Sequence, residues 1–77
     1  MQFPSMGWPA LRRVLERKPL RYSVVRQTGS HMTLKSEAGF PDLHLAFHDQ
    51  AELPGGLVRK ILVKDVGLGE NEARALI

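Results

Sequence analysis

The run Arg26-Gln27-Thr28-Gly29-Ser30-His31, followed by Met32-Thr33-Leu34-Lys35, places an imidazole directly after a glycine turn. Successive side chains of a strand point to opposite faces. With Met32 and Leu34 turned to a core, His31, Thr33 and Lys35 must face outward. An imidazole changes charge near neutrality, so it can take a proton or give one. An outward histidine beside cations, on a basic chain, points to RNA contact and RNA cleavage. Two further histidines, His44 and His48, stand four residues apart. On a helix that spacing would suit a metal; on a strand it separates them by about 13 Å, too far to share one ion. The chain has no cysteine, which removes disulfides, thiolate zinc sites and a cysteine nucleophile. No metal and no cofactor are expected.

The elements that must position these groups follow from hydrophobic period. Pro9 suits the first turn of a helix. Leu11, Val14, Leu15 and Lys18 keep a three-to-four spacing, with Trp8 able to cover the same face, which predicts a helix over 8–18 ended by Pro19. Leu20, Tyr22 and Val24 alternate with Arg21 and Ser23, the period of a half-buried strand over 20–26. Gly29 lets the turn close by taking a positive φ. His31–Ser36 form the second strand, and Leu43–Phe47 the third, with Leu43, Leu45 and Phe47 inward and His44, Ala46 and His48 outward. A second helix is predicted over 56–66, with Leu57, Val58, Ile61, Leu62 and Val66 as its buried stripe and Gly67 as its stop. Residues 70–77 can add a terminal turn or two. Residues 1–7 read as a loose leader, and 8–77 as one domain.

This order gives an α+β fold, α-β-β-β-α: a three-stranded antiparallel sheet with helices on one face and a short C-terminal helix. Double-stranded-RNA-binding domains have the same order. The opposite sheet face stays wet and carries Arg21, Ser23, His31, Thr33, Lys35, His44 and His48. The 77 residues carry a net charge of +3, unevenly placed. Residues 1–37 hold seven Lys/Arg and two acids; residues 38–77 hold four and six. A basic half is expected where a polyanion docks. No stretch approaches the ~20 apolar residues of a membrane span, and the start lacks the pattern of a signal peptide. A cytoplasmic location is expected.

Three segments resemble the HicA family, the RNA-cleaving toxins of HicA–HicB toxin–antitoxin pairs. Arg26-Gln27-Thr28-Gly29-Ser30-His31 is similar to the family's arginine-x-x-glycine-serine-histidine signature after the first strand. Phe47-His48 ends the third strand, where the family usually has a histidine. Leu53-Pro54-Gly55-Gly56-Leu57-Val58-Arg59-Lys60-Ile61-Leu62 is like the family's run opening the second helix. The resemblance spans roughly residues 8–72. Met32 departs from it, standing where relatives commonly carry a second histidine or an aromatic.

The resemblance implies a metal-independent endoribonuclease that cleaves mRNA, with His31 as the catalytic acid or base. It also implies a HicB-type antitoxin partner that covers His31 or blocks access to it, and a toxin that is monomeric when free. Arg26, Gly29, Ser30, Lys35 and His48 are the candidate RNA-binding residues. Arg26 and Lys35 would attract phosphate, and Ser30 would donate a hydrogen bond to one. Lys35 lies about 13 Å along the strand from His31, suited to a neighbouring phosphate. Free N–H groups at Gly55, Gly56 and Leu57 offer either a phosphate site or an ordinary helix start. The alternatives are a non-catalytic RNA-binding module, or a degenerate homologue acting only in protein interaction.

Overall fold

The computed structural model describes residues 2–77. Helix α1 covers Trp8–Glu16, with Pro9 in its first turn. It ends two residues short of the expected boundary. The residue before a proline is driven out of the helical region, and Arg17 is already extended ahead of Lys18-Pro19. Lys18 therefore lies beyond the helix and is exposed, not part of its stripe. Trp8, Leu11, Val14 and Leu15 form the buried face.

Leu20 is buried in the connection, and Arg21 takes a positive φ of 54° before the first sheet strand begins. Three strands form an antiparallel sheet in sequence order: Tyr22–Thr28, His31–Ser36 and Leu43–Ala46. We call them β2, β3 and β4, because a short strand β1, Met6–Gly7, precedes α1. The inward side chains Tyr22, Met32, Leu34, Leu43 and Leu45 are all buried. They pack against Leu11 and Leu15 of α1 and against Val58, Ile61 and Leu62 of the second helical segment, in one core. The sheet is thus covered on one face, as its alternation requires.

That helical segment starts as α2, Gly55–Arg59, and continues as π-helical turns over Lys60–Asp65. It closes with Val66 N–H donating to the Ile61 carbonyl at 2.9 Å, and Gly67 at φ 93° turns the chain away. Helix α3, Glu70–Ala75, follows. The Glu72 carboxylate accepts from Gly69 N–H at 3.1 Å, an N-terminal cap. Arg59 binds Glu70 at 2.8 Å and ties α2 to α3.

The N-terminal segment corrects an expectation. Met1 lies outside the described residues, but residues 2–7 are docked, not loose. Phe3 is 6% exposed, and the Arg74 guanidinium sits 5.6 Å over its ring. Met6–Gly7 pairs antiparallel with β5, Glu52–Leu53. A single buried phenylalanine in a segment without a period gives no signal in sequence, yet it supplies enough apolar area to hold the segment down. It also explains Gly55. A β-carbon there would stand 1.9 Å from the Phe3 carbonyl oxygen. The glycine permits close backbone approach, and the N-terminal segment covers the helix start that offered a phosphate site.

Candidate nucleic-acid site

The wet face is set by two local devices. Gly29, at φ 60°, leads the two-residue turn Gly29-Ser30 between the paired residues Thr28 and His31. Glycine at the first central position is the requirement of a type II′ hairpin, whose twist matches the strands. The second device is a bulge. Val24 pairs with Leu34 and Arg26 with Thr33, leaving Val25 unpaired and 53% exposed. The extra residue reverses the strand's facing. Tyr22 and Val24 face the core before it, whereas Arg26 and Thr28 share the outward rows of Thr33 and His31 after it. Strict alternation over Leu20-Arg26 would have sent Arg26 to the same side as Tyr22.

Two rows result. Arg26, Thr33 and His44 stand side by side across β2, β3 and β4; Thr28, His31 and Ala46 form the next row. All six line one shallow open groove of about 470 Å³. His31 is exposed and makes no side-chain hydrogen bond or ion pair within the described residues. It projects into water beside a cation, as the sequence required. Across from it stands Ala46, whose methyl leaves the imidazole open to a ligand. Among the described residues Arg26 has no carboxylate partner, unlike Arg12, Arg21, Arg59, Lys35 and Lys60, each paired with an acid within 4 Å.

The other expected residues fall elsewhere. Gly29, Ser30 and His48 line a second depression at the hairpin tip, with Gln27, Phe47 and Asp49. His48 lies beyond the end of β4, because the chain turns at Phe47 to set its ring 5.4 Å from that of Trp8. Lys35 lines neither depression; its ammonium is 3.7 Å from the Asp42 carboxylate. The structure thus brings Arg26 to His31 and leaves Lys35 and His48 at opposite ends of the face. Among the described residues, no three His, Asp or Glu side chains converge as metal ligands.

Thr33 and His44 also line the groove; alternation in the sequence places both on the wet face without giving them a role there. The Thr33 hydroxyl lies 3.3 Å from His44 Nδ1. Alternation fixed the facing of each; only the β3–β4 register shows that they are neighbours.

A family model described as the HicA toxin of bacterial toxin–antitoxin systems matches residues 8–68. No curated protein and no solved structure shows significant similarity. The matched span includes the α1–β4 scaffold, the groove and the helical segment that backs the sheet. This chain is a member of the HicA toxin family.

Proposed function

We propose that this toxin is an endoribonuclease that cleaves mRNA, with His31 as a general acid or base. The observation that carries the reading is the placement of His31: exposed, free of protein partners, and in one groove with an unpaired arginine. RNA contains its own nucleophile. When the 2′-hydroxyl loses its proton to a base, O2′ attacks the adjacent phosphorus and the P–O5′ bond breaks. The departing O5′ takes a proton from an acid. The products are a 2′,3′-cyclic phosphate and a 5′-hydroxyl, and no metal need enter the balance. A positioned imidazole contributes about 10²–10⁴-fold to such a step. The Arg26 guanidinium supplies charge-assisted hydrogen bonds to phosphate oxygens as negative charge grows there.

The remaining residues act around this centre. Gly29 and Ser30, with His48, hold the strand continuing past the hairpin tip. Lys35 serves a more distant phosphate, for which it must leave Asp42. An exposed pair of that kind is worth at most ~1 kcal/mol, so the exchange is inexpensive. The free toxin acts as a monomer in the cytoplasm, and a HicB-type antitoxin silences it by covering the His31 face. No helix among the described residues is long and apolar enough to cross a membrane.

The test is induced expression of wild type and His31→Ala in a bacterial host, with RNA cleavage followed in parallel using purified protein and a chelator. The reading expects growth arrest and cleavage with wild type only. It also expects a 2′-deoxy substitution at the cut site to block cleavage. Equal growth of both strains, or cutting at the deoxy site, would overturn it.

A further inference from the structure

We infer that His44 is the second proton-transfer group of the groove, acting with His31 on opposite sides of one scissile phosphate. The inference rests on the nuclease reading above and deepens it. Cleavage moves two protons, one from O2′ and one to O5′, and a single imidazole handles only one of them at a time. Among the described residues that line the groove, His31 and His44 are the two imidazoles, the side-chain type suited to both giving and taking a proton.

Their geometry suits the pair. His31 opposes Ala46, and Thr33 opposes His44, so the two histidines are diagonal neighbours on adjacent strands. Diagonal neighbours in an antiparallel pair stand about 7–8 Å apart, a span that admits a phosphate between two imidazoles. His44 is also oriented. The Thr33 hydroxyl, 3.3 Å from Nδ1, can donate to a bare nitrogen or accept from a protonated one. It therefore supports both charge states and leaves Nε2 as the working nitrogen. His31, flanked by Thr28 and Ala46, has no such restraint. Arg26 closes the other end of the Thr33 row and can hold the phosphate against both rings.

The balance is complete without another reactant. One imidazole accepts the 2′-hydroxyl proton while O2′–P forms; the other, as imidazolium, donates to O5′ while P–O5′ breaks. Exchange of protons with water restores both.

The experiment compares wild type, His31→Ala, His44→Ala and Thr33→Val on one RNA, and on the same RNA with sulfur replacing O5′ at the cut site. A thiolate leaves without a proton, so loss of the acid matters little there. The inference expects His44→Ala to bind RNA as wild type does and to cut about 10²–10⁴-fold more slowly. It expects the sulfur substrate to rescue one of the two histidine variants and not the other. Thr33→Val should lower the rate less than His44→Ala, since it only releases the ring. Normal cutting by His44→Ala, with His31→Ala inactive, would overturn the inference and leave the nuclease reading standing. An equal defect of His44→Ala and His31→Ala on both substrates would also overturn it. Absence of cutting by wild type would sink the nuclease reading itself.

Discussion

The two adjacent glycines that open α2 should respond to alanine with opposite signs. At Gly55 a β-carbon would meet the Phe3 carbonyl oxygen at 1.9 Å and its carbon at 2.9 Å, both backbone atoms. No rotamer change relieves such a clash. Either the helix start shifts or residues 2–7 lift away. Lifting forfeits the burial of Phe3, worth about 1.5–3 kcal/mol, and the short ladder of Met6–Gly7 with Glu52–Leu53. A loss of about 2–3 kcal/mol follows for Gly55→Ala. At about 4–8 °C per kcal/mol for a domain of this size, melting should fall by roughly 8–24 °C. Gly56 is different. A β-carbon there meets nothing within 4 Å, and its φ is not positive. Gly56→Ala should gain about 0.4–1 kcal/mol by reducing the entropy of the unfolded chain. Thermal and urea denaturation of both variants measure these values. If Gly55→Ala melts with wild type, or if both variants lose stability alike, the docking of the N-terminal segment over α2 is refuted.

Arg26→Gln should leave the melting temperature close to wild type, because its side chain is exposed and unpaired. It should weaken RNA binding and reduce the slope of log affinity against log salt by about 0.7, the value for one lost phosphate contact on a single strand. Anisotropy titrations at several salt concentrations read both effects; an unchanged slope would remove Arg26 from the site. Tyr22 donates to the Pro41 carbonyl at 2.6 Å, and burial, then the Asp42 charge, push its phenol up to about 12. Tyr22→Phe should cost about 0.5–1.5 kcal/mol at neutral pH. The folded phenol holds its proton more tightly than the unfolded one, so this stability is full below pH 10 and is lost as pH rises toward 12. The gap between wild type and Tyr22→Phe should therefore narrow over that range. Tyr22 is the only tyrosine, so phenolate absorbance reports the same titration directly; ionisation near pH 10 in the folded protein would contradict it.

Much of this architecture was legible because the sheet has one wet face. Met32 and Leu34 in β3, and Leu43 and Leu45 in β4, alternate cleanly with polar neighbours, which fixed the outward facing of His31 and His44. Gly29 and Gly67 marked a turn and a helix end through the backbone angle each must adopt. Other features left no mark. Val24 and Val25 are chemically equal, so nothing in the sequence showed which one the bulge would expel, nor that Arg26 would then face the groove. The contact of Thr33 with His44 depends on register between strands, which alternation within a strand does not specify. Period two along β4 carries His48 onto the outward face, but the strand ends at Ala46, where Phe47 packs on Trp8. Phe3 docks by tertiary contact alone. The resemblance to the toxin family identified the chain correctly, while the arrangement of the groove came from the coordinates.

Cleavage and binding measured side by side on one RNA test the central claim most directly, using wild type and His31→Ala in the presence of a chelator. The account predicts that the variant binds with near-normal affinity and that its single-turnover cleavage falls by two orders of magnitude or more. Cleavage by His31→Ala at the wild-type rate would contradict it.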